Sequence, residues 1–295
     1  MEKLSNPQVT IETIKKYEFA FQKKFGQNFL IDSHVINKII SAADITKDDC
    51  VLEIGPGIGP LTEQLAQLGA QVAAVELDRS LLPILAETMA GRENVEIIPG
   101  DILKLDLPAL CREKFPGLPV VACANLPYNI TTPVITALLE SGCFGQVTVM
   151  IQREVARRIC AKPGTAEYGA FTLLCEYYAD REILYDVPPS CFLPAPKVVS
   201  SVIRMTLRGR PPVPVGDPAL FFRVVRGAFG QRRKTLLNVL YTLFAKQVDK
   251  ETLAQQLVAC NLTEDIRGER LSFAEFAQLT EKLTNLACIK NCKGI

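Results

Sequence analysis

The chain has 295 residues, with 33 Lys and Arg against 32 Asp and Glu, a formal net charge of +1, and 48% apolar residues. These values exclude a mostly disordered chain and a uniformly basic nucleic-acid protein, although a local basic patch remains compatible with them. The sequence contains no apolar run long enough to span a bilayer, and its first residues lack the apolar core of a secretory signal. We therefore expect a cytoplasmic protein that has no membrane partner.

The ten cysteines are scattered along the chain. Cys50, Cys123 and Cys175 lie among apolar neighbours, which is typical of buried thiols rather than of disulfides. Only Cys288 and Cys292 lie close together, and the sequence assigns them no role. Because the chain has a single histidine and no C-x-x-C motif, we predict no metal site.

The first 30 residues include Lys15, Lys16, Lys23 and Lys24 and are predicted to form a surface arm. Apolar residues at helical spacing then predict a helix from Val35 to Ala43. From residue 50 onward short apolar strands alternate with helices, a pattern that predicts a parallel, doubly wound sheet. The predicted strands are 50–54, 71–75, 95–98, 120–124 and 147–151, and the intervening helices end at 68, 90 and 140.

Two later runs, 183–187 and 200–207, predict an antiparallel end to this sheet. The Pro- and Gly-rich segment 209–218 has the composition of a linker. Helices are predicted beyond it at 220–229, 234–246, 250–259 and 273–283. The predicted fold class is therefore α/β, a doubly wound Rossmann-like sheet with a small C-terminal all-helical domain. The predicted domains are 1–208, including the arm, and 219–295.

The first predicted strand leads into the Gly-rich turn E-I-G-P-G-I-G, residues 53–59. Glycines in a strand-to-helix turn let the backbone approach a ligand closely. Pro60 occupies the position where a dinucleotide fingerprint has its third glycine, and the P-loop sequence G-K-[ST] is absent. The turn therefore favours a nucleoside ligand without a phosphate, of which S-adenosylmethionine is the common example.

Acidic residues end the next two strands. Glu76 follows the second strand and can accept hydrogen bonds from both hydroxyls of a ribose, and Asp101 follows the third and can accept from an adenine amine. Because the carboxyl ends of parallel strands share one edge of a sheet, we expect Glu76, Asp101 and the Gly-rich turn to form one site.

The tetrapeptide Asn125-Leu126-Pro127-Tyr128 follows the fourth strand. The lone pair of an adenine amine is delocalised into the ring, so acceptors that bind both amine protons favour a pyramidal, nucleophilic nitrogen. The Asn125 side-chain oxygen and the Leu126 backbone carbonyl are such acceptors, Pro127 stiffens the turn, and Tyr128 offers a ring on which a base can stack. The tetrapeptide thus indicates methylation of an adenine amine by orientation and charge placement.

Five motifs occur in an order that resembles the bacterial small-subunit ribosomal RNA adenine dimethyltransferases, the kasugamycin-sensitivity enzymes. They are F-G-Q-N-F-L at 25–30, E-I-G-P-G-I-G at 53–59, N-L-P-Y-N-I at 125–130, F-L-P-A-P-K-V-V-S at 192–200 and F-G-Q-R-R-K-T-L at 229–236. The resemblance implies a methyltransferase sheet. It also implies transfer of methyl groups from S-adenosylmethionine to two adjacent adenines near the 3′ end of 16S rRNA, within an immature 30S subunit.

The same resemblance implies roles for individual residues. The cofactor would be bound by seven positions, with Asn28 and Leu30 closing the pocket from the arm: Asn28, Leu30, Gly55, Gly57, Glu76, Asp101 and Asn125. Tyr128 and Phe192 would frame the target base. Taken without the resemblance, Phe192 has a second interpretation as a core aromatic that precedes a strand.

Basic residues concentrate toward the end of the predicted catalytic domain. From residue 197 to 240 nine basic residues face one acid, a net +8, so the remaining 251 residues of a +1 chain carry −7. Three more arginines share one helix face after the fifth strand, at positions i, i+4 and i+5. Arg contacts RNA phosphates well through its planar fork. The predicted RNA-binding residues are Arg153, Arg157, Arg158, Lys197, Arg223, Arg226, Arg232, Arg233 and Lys234.

Other functions stay open on the sequence alone. They are a large-subunit (23S) rRNA adenine methyltransferase of the macrolide-resistance type, a mainly non-catalytic ribosome assembly factor, and a nicotinamide oxidoreductase. Leu126 stands where DNA adenine methyltransferases usually have a proline, so no DNA substrate is expected. We expect a monomer, since nothing in the sequence indicates an obligate dimer.

Overall fold

The computed structural model describes residues 4, 6–19, 21–22, 26–68, 71–245 and 247–286. The chain divides into two compact units. Unit 1 comprises residues 1–156 and 180–207, and unit 2 comprises residues 157–179 and 208–295.

The centre of unit 1 is a seven-stranded sheet with the order β4-β3-β2-β5-β6-β9-β7. Its strands are β2 (Cys50–Ile54), β3 (Gln71–Glu76), β4 (Val95–Pro99), β5 (Val120–Asn125), β6 (Gln146–Gln152), β7 (Ala179–Val187) and β9 (Ser200–Leu207). Neighbours from β4 to β6 are parallel, and β9 runs antiparallel to β6. The predicted doubly wound sheet with an antiparallel end is confirmed.

The helices of this part of the chain bury apolar side chains. They are α1 (Pro7–Lys16) in the arm, α2 (Ser33–Ala43), α3 (Pro60–Gln67), α4 (Leu82–Thr88), α5 (Leu107–Lys114), α6 (Thr131–Glu140) and α7 (Arg153–Ile159), whose last three residues belong to unit 2. Asp32 caps α2 by accepting from His34 N and Val35 N. The helix predicted to end at residue 90 is shorter, because Asp78 first caps a 3-10 turn at Arg79–Leu81 and α4 follows that turn.

The N-terminal arm is packed onto unit 1, so its prediction as a surface arm is wrong for the described residues. Ile14 and Phe29 join an apolar cluster with Ile58 and Leu81. A short strand, β1 (Phe29–Leu30), pairs antiparallel with β8 (Phe192–Leu193). Lys23, Lys24 and Phe25 lie outside the described residues.

Unit 2 is helical and has its own core. Its helices are α8 (Ala170–Tyr178), α9 (Pro218–Gly230), α10 (Leu236–Phe244), α11 (Lys250–Val258) and α12 (Phe273–Thr284). Phe221, Phe244 and Phe276 are fully buried in this core. Within the part of the chain that the structure describes, every helix is too short or too polar to span a bilayer.

Residues 157–179 belong to unit 2, although the sequence analysis assigned them to the catalytic domain. The physical reason is burial, because Tyr168 and Leu173 lie in the same apolar cluster as the α9 and α12 side chains. The Tyr168 hydroxyl also donates to the Leu271 carbonyl over 2.8 Å. Cys288 and Cys292 lie outside the described residues.

Candidate active site

A cavity of about 250 Å³ opens at the carboxyl ends of the parallel strands of unit 1. The strand order reverses between β3 and β5 on either side of β2, and open α/β sheets bind ligands at such a switch point. The cavity is lined by ten residues that the sequence analysis assigned to the cofactor or the chemistry: Asn28, Leu30, Gly55, Gly57, Glu76, Asp101, Asn125, Leu126, Pro127 and Tyr128.

The Gly-rich turn forms the floor of this cavity because its backbone adopts conformations that other residues avoid. Gly55 and Gly57 have φ values of 69° and 65°. A Cβ at Gly57 would lie 3.1 Å from the ring of Phe29, so the turn and the arm are packed directly against each other. A side chain at this position would therefore be strained and would push the arm away.

Glu76 is a carboxylate with half of its acceptor capacity already used. Its Oε2 accepts from Gly57 N over 3.3 Å and its Oε1 from Asp78 N over 2.7 Å. A carboxylate has about four lone-pair sites, so about two remain for a ligand. Glu76 is only 6% exposed, and burial raises its pKa to about 7, against the opposing effect of these two backbone N–H groups.

Asp101 caps the 3-10 turn that follows β4, and it accepts from Leu103 N over 3.1 Å. An apolar residue follows each strand-end acid, namely Leu77 after Glu76 and Ile102 after Asp101, and both line the cavity. Leu77 is 46% exposed, which is high for a leucine at a strand end. The sequence analysis did not select these two residues, although the repeated acid–apolar pair was a signal for them.

Glu53, the first residue of the Gly-rich turn, lines the same cavity and is 2% exposed. Its Oε2 has no hydrogen-bond partner among the described residues. Burial and the neighbouring charge of Glu76 raise the pKa of Glu53 to about 8. A buried acceptor without a partner is costly, so this oxygen favours a ligand that brings a donor or a positive charge.

Asn125 ends β5 and is held in one orientation. Its Nδ2 donates to the backbone carbonyl of Asn28 over 3.1 Å, which fixes the side-chain amide and directs its Oδ1 away from that carbonyl. Leu126 is anchored beside it, since its N–H donates to Met150 O over 3.1 Å. Both residues line the cavity, and these two contacts engage the Asn125 Nδ2 and the Leu126 N–H rather than the oxygens of the two residues.

Tyr128 lines the cavity with a half-buried ring. Its hydroxyl lies 2.6 Å from Ser200 Oγ. Burial raises the pKa of the phenol, so the hydroxyl stays protonated at neutral pH. The residues after it begin α6, where Thr131 Oγ1 donates to Pro127 O over 3.2 Å.

The arm completes the cavity through Asn28 and Leu30, as predicted. Gln27, which the sequence analysis named only within a motif, connects the arm to the strand-end acids. Its Nε2 donates to Asp78 Oδ2 over 2.7 Å, and the Asp78 N–H in turn donates to Glu76. No pattern in the sequence indicated this contact, because its two partners are 51 positions apart.

Phe192 does not join the other predicted residues at the cavity. It is 3% exposed, pairs with Leu30 across β1 and β8, and packs with Ile36 and Val202. The structure therefore gives it the role of a core aromatic, the second interpretation of the sequence analysis. It supports the arm strand that delivers Asn28 and Leu30.

Most of the predicted RNA-binding residues are exposed: Arg157, Arg158, Lys197, Arg226, Arg233 and Lys234. Arg153 pairs with Asp186 over 3.5 Å. Two others are engaged within unit 2. Arg223 donates to Leu243 O over 3.0 Å and stacks on Phe244, and Arg232 donates to Ala166 O and to Glu269, each over 3.2 Å.

The residues around the cavity fit S-adenosylmethionine. About two free acceptor sites on Glu76 match a ribose diol, and Asp101 offers an acceptor beside the apolar pair Leu77 and Ile102. The unpartnered oxygen of Glu53 matches a cationic ligand. Among the described residues that line the cavity there is no lysine or arginine, and the three with carboxyl groups are Glu53, Glu76 and Asp101.

The chain is similar to known proteins over most of its length. The family described as "Ribosomal RNA adenine dimethylase" matches residues 18–283. A protein of Alkaliphilus oremlandii (strain OhILAs), named ribosomal RNA small subunit methyltransferase A, is 48% identical over 284 residues, which cover 96% of this chain and 99% of that protein.

Two solved structures are similar to most of this chain. A dimethyladenosine transferase from Plasmodium falciparum has a TM-score of 0.71 and 27% identity, and covers 85% of this chain and 95% of its own. The 23S rRNA methyltransferase ErmE has a TM-score of 0.66 and 26% identity, and covers 87% of this chain and 99% of its own. From the family match over residues 18–283 and the near-full-length relative, we conclude that this chain belongs to the ribosomal RNA adenine dimethylase family.

Proposed function

We propose that this protein transfers methyl groups from S-adenosylmethionine to the N6 atoms of two adjacent adenines in a hairpin loop near the 3′ end of 16S rRNA. The product is N6,N6-dimethyladenosine, formed during assembly of the 30S subunit. The observation that carries the proposal is the fixed amide of Asn125, whose Nδ2 is bound by Asn28 O while its Oδ1 remains for a substrate at the cavity. The name of the near-full-length relative supports the small subunit as the target.

The chemistry requires that the amine be oriented. When bound, the methyl donor supplies an electrophilic methyl group on a sulfonium sulfur. Asn125 Oδ1 and the Leu126 carbonyl accept the two protons of the adenine amine, which favours a pyramidal nitrogen whose lone pair can attack. Tyr128 stacks on the base, a contact worth about 1–3 kcal/mol. A strong base is unnecessary, because methylation of the neutral amine gives a cation that is acidic and loses its proton to water. Rate enhancement then comes from orientation and electrostatics.

Cofactor recognition divides among the strand ends. Glu76 holds the ribose hydroxyls, Asp101 accepts from the adenine amine, and Leu77 and Ile102 pack on the adenine ring. Glu53 faces the positive charge of the amino-acid part. Phe192 is left out of the base-binding group, because it is buried behind β1.

Unit 2 offers a basic surface organised around Arg232. The contacts of Arg232 to Ala166 and Glu269 bring together three chain segments, and each segment carries exposed basic side chains. These are Lys162 in the first segment, Arg233 and Lys234 in the second, and Arg267 and Arg270 in the third. We assign this surface to RNA phosphates and give Arg232 the task of holding it together. In unit 1, we assign Arg153 and Lys197 to a separate contact with RNA phosphates.

The proposed partner is 16S rRNA within an immature 30S subunit, and the proposed site of action is the cytoplasm, where subunits assemble. We propose that the protein acts as a monomer, since nothing in the sequence indicates an obligate dimer. RNA binding through phosphates should weaken with salt in proportion to the phosphates neutralised.

The experiment that tests the function uses immature small subunits that lack the modification, together with isotopically labelled methyl donor. Mass spectrometry of the digested RNA is expected to show dimethyladenosine at two adjacent positions of 16S rRNA. Label in 23S rRNA instead would contradict the small-subunit target, which matters because the ErmE structure is similar over most of the chain.

An Asn125→Ala variant separates an enzyme from a non-catalytic assembly factor. We expect this variant to bind immature subunits as the wild type does and to transfer no methyl group. If it retained full transfer, Asn125 would not be the amine acceptor.

A further inference from the structure

The ring proposed to stack on the target base is tied at its far end. Tyr128 is half-buried at the cavity, and its hydroxyl lies 2.6 Å from Ser200 Oγ. A tyrosine ring turns about two side-chain torsions, and the hydroxyl oxygen lies on the axis of the second. A hydrogen bond at the hydroxyl therefore fixes the first torsion, and with it the place and direction of the ring at the cavity.

Ser200 is well placed to act as a fixed anchor. It is the first residue of β9, it is fully buried, and its backbone lies in register with Gln152 of β6. A serine anchored in a central strand pair has little freedom of its own, so the position of its Oγ is determined by the sheet.

We infer that Ser200 is a positioning residue for methyl transfer, which acts by fixing the ring of Tyr128 in the orientation that receives the adenine. The inference rests on the proposed function, because it requires that Tyr128 contact the base. Ser200 itself touches neither base nor cofactor in this assignment.

The adjacent residue gives a matched control. Ser201 is also fully buried, and its hydroxyl makes a bond of equal length, 2.6 Å, to Asp186. Successive residues of a strand point to opposite faces, so Ser201 makes no contact with Tyr128. A Ser201→Ala variant removes a comparable buried hydrogen bond without releasing the ring.

The test is a double-mutant cycle on the rate of methyl transfer in a single turnover, with immature small subunits and labelled methyl donor. Ser200→Ala and Tyr128→Phe each remove the same hydrogen bond, and each is expected to slow transfer about tenfold. Because both act through one bond, the double variant is expected to be about tenfold slow as well, not a hundredfold. The dissociation constants for cofactor and subunit should stay within about twofold of the wild type.

The control variant should behave differently, because Ser201 does not contact Tyr128. The effects of Ser201→Ala and Tyr128→Phe on the transfer rate are expected to be independent and to multiply in the double variant. The inference fails if Ser200→Ala transfers at the wild-type rate, or if it slows the Tyr128→Phe protein by a further tenfold. If Ser200→Ala does not fold, the test rests on Tyr128→Phe alone. A wild-type rate of methyl transfer in Tyr128→Phe would then overturn the inference. If the wild type itself transfers no label to the small subunit, the proposed function is wrong instead.

Discussion

The ribose-binding acid should make cofactor affinity depend on pH. Glu76 is 6% exposed, and burial raises its pKa to about 7. A ligand hydroxyl that donates to Glu76 stabilises the carboxylate form, so binding must expel the proton that the free site holds below pH 7. If the pKa of Glu76 in the complex lies well below 6, the dissociation constant should be about twofold larger at pH 7 and about tenfold larger at pH 6 than at pH 8.5.

The assay is calorimetric titration with 5′-methylthioadenosine, which has adenine and ribose but no amino-acid part. This ligand isolates Glu76 from Glu53, whose own raised pKa would add a second pH step with the complete cofactor. Glu76→Gln should weaken binding at pH 8.5 by about tenfold or more, since it replaces a charged acceptor, and should abolish the pH step. The exposed residue Glu140, changed to Gln, serves as the control and should leave the profile unchanged.

Two results would refute this reasoning. One is a wild-type dissociation constant that stays constant between pH 6 and pH 8.5. The other is a pH step that persists in Glu76→Gln, which would place the titrating group elsewhere in the site.

Three further outcomes are expected. Asn125→Ala should lose about a hundredfold or more in the rate of label transfer while binding to immature subunits, followed by co-sedimentation, stays within twofold. The pKa of Glu53 rises from about 4.5 unfolded to about 8 folded, so its contribution to stability is present at pH 4.5 and is lost as pH rises to 8. The side chain of Glu53→Gln does not titrate, so this variant should gain stability relative to the wild type as the pH rises from 5 to 8, measured by urea unfolding. If the unfolding free energies of the two proteins changed equally with pH, Glu53 would not be a buried acid with a raised pKa. Arg233→Ala should lower the salt dependence of RNA binding by about one phosphate contact without changing stability, whereas Arg232→Ala should also lower the free energy of unfolding by about 1 kcal/mol. If the two variants had the same free energy of unfolding, Arg232 would not have the structural role given to it.

The strand-end residues of the site could be predicted from the sequence because parallel strands impose a simple rule. Once apolar runs mark the strands, their carboxyl ends must meet at one edge, and Gly55, Glu76, Asp101 and Asn125 follow directly. These four residues line the cavity as predicted. The runs at 183–187 and 200–207 also predicted the antiparallel end of the sheet, and β9 does run antiparallel to β6.

Contacts between distant segments could not be predicted in this way. Leu30 pairs with Phe192 across more than 160 positions, and no local periodicity marks either two-residue strand. The family resemblance placed Phe192 at the base, and the lysines of the arm indicated a surface position; neither signal showed that β1 and β8 pair. Residues 157–179 joined unit 2 because Tyr168 and Leu173 fit its core, a matter of side-chain packing that spacing alone does not express.

Asp78 gives the arm an influence on cofactor exchange. Its backbone N–H donates to Glu76, the residue proposed to bind the ribose, while its carboxylate accepts a hydrogen bond from Gln27 of the arm. Two binding events that share one group are thermodynamically linked, so the free energy by which the arm strengthens cofactor binding equals the free energy by which the cofactor strengthens docking of the arm. In the proposed assignment the spent cofactor, which keeps the adenine and ribose, makes the same contacts. We expect the arm to govern how long the demethylated product stays bound, and thereby how quickly the enzyme can begin the next of its successive transfers.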